Sequence, residues 1–593
     1  MTWEMGFVLL VVLVMMICLF KEVARPDIIV FVALIAFLAV GIITPEEAIS
    51  GFSNEGMLTV AMLFVIAGVI QKSGLVERSV AALLGKGKSE RRSLFRFLVP
   101  ISGASAFLNN TPIVVTLTPI VREWCADHNI SPSKFLIPLS YASILGGILT
   151  LMGTSTNLVV HGLLLERGME GYSLFTLAQV SLPASLIGLV YLVTVGYRIL
   201  PDYKPLNKRS GDERKQYLME VVVENHFPAV NRTVEEAGLR NLEGVYLLAI
   251  ARSKDKVCPV KNSTTIKAGD RLIFTGIISK IAELQDKKGL TIKTGTDVSL
   301  EQLENGHGRL VEVVVSHQSS LLHRKIKETQ FRATFDAGVV AVHRNNERIE
   351  SKIGDIELRA GDTLLLLTGA DFQERAAQSK DFYVVTPLKK HPLLNKMSSW
   401  KAWTALLSLV AMIGLVTMNA LSMFTAMSIL VVFYLLCKIV TPDEAKQNVQ
   451  FHVLLLIASA FGIGQALFKT GAAEWVAGGL IRLSDPFGIF GALVLLYVLT
   501  ALFTEMITNN AAAVLMFPIA VEAANRLGVE PMAFVILVTI GASASFLSPI
   551  GYQTNLIVYG PGGYRFKDYL KVGLPLSFLV MASTIWMVDW IWI

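Results

Sequence analysis

Long hydrophobic runs dominate this chain, and short polar turns interrupt some of them. A helix of about 20 apolar residues crosses the hydrocarbon core of a bilayer. Runs of about that length or longer lie near residues 5–20, 27–43, 56–71, 134–161, 173–198, 399–417, 421–438, 451–468, 531–559 and 572–592. The pattern predicts an α-helical polytopic membrane protein. The first run is followed by more membrane sequence and has no small-residue cleavage site, so we expect a span and not a cleaved leader.

Residues 204–392 follow a different pattern, in which charged residues of both signs alternate with short strand-like runs. Two motifs recur there at an offset of 92 residues. Glu220–Val223 matches Glu312–Val315, and Lys267–Asp270 matches Arg359–Asp362. We therefore predict two small α+β modules, the first at 204–300 and the second at 301–392.

The hydrophobic sequence on either side of these modules is also duplicated, at offsets between 397 and 399 residues. The matching segments are Thr44–Ala48 with Thr441–Ala445, Lys72–Gly74 with Lys469–Gly471, Asn109–Thr111 with Thr508–Asn510, and Gly153–Asn157 with Gly551–Asn555. We predict a first transmembrane repeat at 1–203 and a second at 393–593. Duplicated halves with interrupted hydrophobic segments in matching places are typical of secondary transporters that bind their solute between the repeats.

Basic residues flank the hydrophobic runs mainly on one side if the two halves are threaded in opposite directions. These residues are Lys21, Arg25, Lys86, Lys88, Arg91, Arg92, Arg96, Lys438, Lys446, Arg565, Lys567 and Lys571. In this path residues 94–121 and 495–522 form re-entrant hairpins; the alternative is two short spans in each. The direct sequence repeat then becomes an inverted structural repeat. We expect a multi-pass protein of the plasma (inner) membrane with cytoplasmic modules.

The polar turns inside the membrane sequence are the candidate site. Unpaired polar groups in hydrocarbon cost several kcal/mol each, so such turns persist where they line a cavity or bind something. Ser, Asn and Thr at a hairpin tip offer neutral oxygens to a monovalent cation, and the helix that follows directs its N–H groups at an anion. Gly153 and Gly551 permit unwound backbone within a long span. The alternative is that these residues only join helices by hydrogen bonds.

Composition narrows the function further. Of 593 residues, 53% are hydrophobic and 17% are charged, and the net charge of +6 gives no reason to expect nucleic acid as a partner. The four cysteines show neither metal spacing nor a disulfide framework. Neither half contains a Ser-His-Asp set, a Walker loop or a His/Cys metal cluster, so primary active transport has no support and we expect no enzyme. Glu505 lies inside the second hairpin; we favour a structural carboxylate over a protonatable coupling group.

At the hairpin tips the chain resembles the divalent-anion:sodium symporter family, whose hallmark is a Ser-Asn-Thr tip in each repeat. Asn109–Thr111 and Thr508–Asn510 occupy those places. The resemblance implies sodium ligands at Ser105, Asn110 and Gly153 in one site and at Thr504, Asn509 and Gly551 in the other. It implies substrate contacts from Asn110, Thr111, Asn157, Asn509, Asn510 and Asn555. Ser155-Thr156 and Gln553-Thr554 replace the Pro-Pro that is usual in dicarboxylate carriers.

The inserted modules resemble the TrkA-C modules (the C-terminal modules of potassium-conductance regulators), and the whole chain resembles the sulfate-transporter-like branch of the symporter family. The resemblance implies an elevator-type ion-transporter fold, a homodimer, and modules that either bind a small ligand such as a nucleotide or only dimerise. No Gly-rich dinucleotide fingerprint precedes either module.

We therefore expect a secondary active transporter that imports a small divalent oxyanion, sulfate being the first choice, coupled to sodium across the lipid bilayer. A sodium-coupled carrier of di- or tricarboxylates is the main alternative. A regulated cation pathway and a sensor of anion supply are further alternatives. The sequence leaves open whether protons replace sodium.

Overall fold

The computed structural model describes most of the chain. The described residues are 2–21, 23–74, 89–203, 399–418 and 420–593, together with those parts of 219–387 that form two β-sheets and their connections. The domain boundaries predicted near 204, 300 and 392 lie outside the described residues, as do Lys86 and Lys88.

The first membrane half consists of helices joined by short turns. They are α1 (Trp3–Phe20), α2 (Pro26–Ala39), α3 (Pro45–Ile49), α4 (Glu55–Ser73), α5 (Glu90–Ser105), α6 (Asn110–Asp127), α7 (Leu136–Gly147), α8 (Ser155–Glu166) and α9 (Ala178–Tyr191). The last of these continues through a π-type turn, Leu192–Gly196, into Tyr197–Ile199.

The second half follows the same order. Its helices are α11 (Ser399–Thr417), α12 (Met423–Leu436), α13 (Pro442–Asn448), α14 (Phe451–Lys469), α15 (Ala472–Ser484), α16 (Gly488–Met506), α17 (Asn509–Leu527), α18 (Pro531–Ser543), α19 (Gln553–Gly562) and α20 (Phe566–Trp592). Each helix of the first half has its counterpart at the offset of the sequence motifs, and α15 corresponds to a part of the first half outside the described residues.

The two kinds of polar turn have the local structures that the sequence predicts. In each hairpin the chain turns at the Asn-rich motif, and α6 and α17 begin at Asn110 and Asn509. Each long fourth span is broken, since residues 148–154 and 544–552 separate α7 from α8 and α18 from α19. At about 1.5 Å per residue the 16 residues of α5 rise about 24 Å, less than the bilayer core. A re-entrant first hairpin remains the prediction.

Hydrophobic helices confirm the α-helical polytopic fold. Among the described residues, six helices are long and apolar enough to cross a membrane, and four shorter apolar helices accompany them. The halves interlock, because α2 packs on α14 and α4 on α12. The broken helices also cross between halves, since α8 packs on α17 and α19 packs on α6. One continuous apolar core runs through both halves.

Two five-stranded antiparallel sheets form the modules. The first contains β1 (Met219–Val223), β2 (Val245–Arg252), β3 (Asp255–Val257), β4 (Arg271–Gly276) and β5 (Leu290–Lys293). The second contains β6 (Arg309–Val315), β7 (Ala337–Arg344), β8 (Glu347–Arg348), β9 (Thr363–Thr368) and β10 (Phe382–Pro387), with a short helix α10 (Phe331–Phe335). Their strand orders, β3-β2-β4-β1-β5 and β8-β7-β9-β6-β10, are equivalent, as expected of a duplication.

Each module has an apolar core of its own. The repeated Gly-Asp motif closes both modules in the same way. Arg252 binds Asp270 in the first and Arg344 binds Asp362 in the second, each with a nitrogen–oxygen distance of 2.7 Å. The modules touch through Arg332, whose guanidinium donates to the carbonyls of Val260 and Leu247.

Candidate functional site

Each hairpin tip meets the broken helix of the other repeat. In the first hairpin the amide of Asn110 lies 2.7 Å from the hydroxyl of Tyr552, and the Thr111 hydroxyl donates to Gln553 Oε1 at 3.1 Å. Tyr552 and Gln553 stand at the start of α19. The tip of the first repeat is therefore bound to the break of the second repeat.

The second tip makes the reciprocal contact. Asn510 Oδ1 accepts hydrogen bonds from the hydroxyls of Thr156 at 2.9 Å and Ser155 at 3.3 Å. Ser155 and Thr156 open α8, in the break of the first repeat. The two contacts are related by the inverted repeat, so the site lies where the two halves cross.

A cage of oxygens surrounds the Asn110 side chain. When its amide oxygen accepts from Tyr552, its nitrogen donates to Ser105 Oγ at 2.6 Å and to the carbonyls of Ser143 and Gly153, each at 3.2 Å. Ser105 also donates to the Ser143 carbonyl at 2.8 Å. All three sodium ligands predicted for the first site thus lie together. The backbone is close here, since a Cβ on Gly147 would come within 2.5 Å of Asn110 Oδ1.

The second tip repeats this cage in part. Thr504 Oγ1 donates to the carbonyl of Ala542 at 2.5 Å and to Asn509 Oδ1 at 3.2 Å. Ala542 is the counterpart of Ser143. Gly551 lies beside the Glu505 carboxylate, because a Cβ there would come within 2.6 Å of Glu505 Oε2.

Glu505 is the feature by which the two cages differ. Its Oε1 accepts from the backbone N–H of Leu547 at 2.9 Å. Its Oε2 is buried without a hydrogen bond of normal geometry and faces the Gly551 side of the cage, where the hydroxyls of Ser545 and Ser548 also lie. The sequence favoured a structural carboxylate satisfied by its neighbours, and this stays a prediction. The Leu547 N–H and the hydroxyls of Ser545 and Ser548 surround the carboxylate, which also lines the candidate site.

Asn157 and Asn555 hold the helix breaks. The Asn157 amide donates to the carbonyls of Gly147 at 3.0 Å and Thr150 at 2.7 Å. The Asn555 amide donates to those of Ser545 and Ser548 at 3.1 and 3.0 Å. Both side chains are fully buried and neither lines the cavity described next. Their position fits support of unwound backbone better than the substrate contact expected from the sequence.

A cavity of about 460 Å³ extends from both tips towards the second module. Of the residues expected at the substrate, Thr111, Asn509 and Asn510 line it, and Asn110 lies directly behind its wall. Its polar lining includes Asn109, Thr111, Thr154, Ser155, Thr156, Thr508, Asn509, Asn510, Tyr552 and Gln553. The titratable side chains along it are Glu505, Arg25, His323 and Tyr552, and Arg25 is paired with Asp27 at 3.0 Å.

Neutral donors and helix starts give this cavity its chemistry. α6, α8, α17 and α19 all begin beside it, so their free N–H groups and positive dipole ends favour an anion. The oxygen cages behind the tips suit a hard monovalent cation. One compact region can therefore hold a cation and an oxyanion together.

Sequence reasoning missed the contacts that cross between the repeats. Tyr552 and Gln553 belong to a noticed motif, but their partners lie more than 400 residues away and no local pattern reports them. Glu505 was noticed in the sequence, because an ionisable residue inside an apolar segment is a functional-site candidate by default.

Comparison with known proteins gives one family. The model of a family described as citrate transporter matches residues 10–539.

Individual relatives cover almost the whole chain. A Chlamydomonas reinhardtii protein described as a sulfur deprivation response regulator is 34% identical over 95% of this chain and 98% of its own length. An uncharacterized transporter of Synechocystis is 32% identical over 93% of this chain and 91% of its own. Sodium/sulfate cotransporter 1 of Chlamydomonas reinhardtii is 24% identical over 95% of this chain and 89% of its own length.

Proposed function

We propose that this chain, which belongs to the citrate transporter family, is a secondary transporter that imports a small divalent oxyanion together with sodium. Membership confirms the resemblance to the divalent-anion:sodium symporters. Sulfate is the first choice of solute, because a relative that aligns with 95% of the chain is a sodium/sulfate cotransporter.

The cage around Asn110 is the observation that carries the proposal. Three oxygens, from Ser105, Ser143 and Gly153, converge on the amide nitrogen. Rotation of the amide would add its own oxygen and create a four-oxygen site for sodium at the same place. The released Tyr552 hydroxyl would then be free to donate to an anion in the cavity. Sodium binding and anion binding are coupled through this one side chain.

The second cage would hold a further cation in a different way. Thr504, Asn509 and Gly551 are the proposed ligands, and Glu505 adds a negative charge that the first cage lacks. A carboxylate in hydrocarbon is stabilised by a bound cation or by a proton. We propose sodium there, with a proton as its competitor for Glu505.

Recognition of the anion would rest on neutral groups. Thr111, Asn510 and the starts of α8 and α19 supply hydroxyls, amides and N–H groups around the cavity. Sulfate keeps its two charges near neutral pH, so fixed donors suffice. Movement of the hairpins and broken helices against a homodimeric scaffold, as in an elevator, would carry both ions across.

A di- or tricarboxylate is the second candidate, because the matching family is described as citrate transporters and a cavity of about 460 Å³ exceeds the needs of sulfate. Competition separates the two, since citrate and succinate should displace labelled sulfate only weakly from a sulfate site.

The dependence of sulfate binding on sodium tests the coupling between the two ions. Sulfate titrated into the purified protein at constant ionic strength should bind at least about tenfold more tightly in sodium than in choline, and by reciprocity sulfate should tighten sodium binding equally. Sulfate affinity that is the same in both salts would contradict the coupling.

A further inference from the structure

The second module packs directly on membrane helices that form the site. Its strand β10 contacts α6, and β6 contacts α19. Between them the guanidinium of Arg122, on α6, binds the carboxylate of Glu312, on β6, at 2.8 Å. These side chains are only 11% and 6% exposed, so the ion pair is buried between module and membrane half.

The first module shows that this ion pair is special to the second. Glu220, the counterpart of Glu312, binds Arg271 of its own sheet, with a partner nitrogen at 2.7 Å. In the second module the position of Arg271 is taken by Thr363. Glu312 has therefore no arginine at that place in its own module and takes Arg122 of the membrane half as its partner.

Around this ion pair two glycines, Gly361 and Gly560, allow a close approach between the second module and α19. The Thr363 side chain faces Gly560 of α19 so closely that a Cβ on Gly560 would overlap it. A Cβ on Gly361 would come within 2.6 Å of Leu556 on the same helix. Side chains larger than glycine at 361 and 560 would hold the two surfaces apart, because at each of these points the glycine backbone of one surface packs on a side chain of the other.

The helices held in this way carry the tip and the break of the candidate site. Asn110 begins α6, and Gln553 begins α19. The same module contributes Ser319, Leu322, His323 and Ala360 to the cavity lining. The module therefore packs on the helices that would position the anion, and it also forms part of the wall of the cavity.

We propose that the second module is a gate on the module side of the cavity, docked by Glu312 on Arg122 and released during each transport cycle. This inference rests on the proposed transport, but not on which anion moves. A buried ion pair suits a contact that must open, because each charge regains full hydration when the surfaces part. Two alternative arrangements of a packed interface are a common basis of switching.

Glu312→Gln tests the gate, and Glu220→Gln is its matched control, since it removes the equivalent carboxylate from the first module, where its arginine partner lies in the same sheet. Undocking is measured on the full-length chain, freed of its native cysteines, by the rate at which a polar maleimide labels Thr363→Cys, which is buried in the docked state. We expect labelling at least about tenfold faster with Glu312→Gln, and a higher initial rate of anion uptake into proteoliposomes. Glu220→Gln should change neither.

The pair itself is tested by exchanging its charges. Arg122→Glu combined with Glu312→Arg should return labelling and uptake towards the original values, which a general loss of folding would not do.

Two results with an active protein would overturn the gate. Faster labelling with unchanged or lower uptake would make the module a support, and unchanged labelling would show that the pair does not hold it. If the original protein takes up neither sulfate nor a carboxylate, the proposed function fails for that protein. If uptake then appears only with Glu312→Gln, the result would support a gate that is closed in the original protein. If Glu312→Gln takes up no anion either, the gate is overturned together with the proposed function.

Discussion

The two hairpins differ in charge at Glu505, because Ala106 occupies the equivalent position in the first hairpin. The buried Oε2 of Glu505 faces Gly551 without a normal hydrogen bond. A unit charge about 4 Å from a monovalent cation contributes about 4 kcal/mol at an effective dielectric constant of 20, part of which desolvation offsets. If the cages bind cations as proposed, Glu505 would make the second cage the stronger site.

Glu505→Gln should raise the sodium concentration for half-maximal anion uptake about tenfold, equivalent to about 1.4 kcal/mol, with a smaller effect on the half-maximal anion concentration. The measurement is uptake at varied sodium and fixed anion. Glu522→Gln is the control, because Glu522 lies on α17, the other helix of the same hairpin, and binds Arg526 at 3.6 Å instead. An unchanged sodium dependence in Glu505→Gln would remove Glu505 from the cation site.

The sequence predicted which candidate residues lie together where one repeat contains the whole arrangement. Ser105, Asn110 and Gly153 lie within one cage because the hairpin and the break that carry them belong to the same half. It could not predict that Asn110 also binds Tyr552 or that Asn510 binds Thr156, since these contacts depend on how two inverted halves interlock.

At the scale of elements, two ion pairs join the repeats reciprocally. Lys72, at the end of α4, binds Glu444 in α13, and Lys469, at the end of α14, binds Glu47 in α3. Both glutamates also close a capping box at the start of their helix. The recurring motifs that carry these residues therefore connect each half to the other.

The Lys72–Glu444 pair should contribute modestly, because its side chains are 44% and 37% exposed and solvent screens them. A double-mutant cycle with Lys72→Met and Glu444→Gln should give a coupling energy of about 0.2–1 kcal/mol in thermal unfolding at pH 7. The Lys72 ammonium, together with the Thr441 backbone, holds the pKa of Glu444 below its ordinary value of 4.5. Stability from a lowered carboxyl pKa is present above the unfolded value and is lost as pH falls through the folded one.

The coupling should therefore be complete at pH 7 and decrease only below pH 4.5. The Lys469–Glu47 pair is the internal comparison, and the two cycles should agree within their errors. A coupling above about 3 kcal/mol would instead indicate a buried pair, and a coupling that does not fall in acid would contradict the assignment to Glu444.

On the scale of the whole molecule, hydrophobic runs and repeated motifs were sufficient to predict two membrane halves around two small sheets. They were not sufficient to predict that the second module contacts α6 and α19. At that contact Thr363 occupies the position of Arg271 in the first module, and Arg122 of a membrane helix pairs with Glu312. This relation can be recognised only when the two sheets are superimposed and Glu312 is found to pair with Arg122 outside its own module.

The same scale explains why a transporter of this kind needs duplicated halves. Each tip contacts the break of the opposite half, so the proposed anion site would need residues of both halves. Sodium-coupled anion transport is the claim that unites the cages, the cavity and the module at its wall.

Uptake of labelled sulfate into proteoliposomes that contain the purified full-length chain, with and without an inward sodium gradient, tests this claim most directly. We predict uptake that the sodium gradient stimulates and that Asn110→Ala and Asn509→Ala abolish. Asn525→Ala, at the exposed end of the helix that Asn509 begins, should retain it. Sulfate uptake that ignores sodium, or that survives both tip substitutions, would contradict the account.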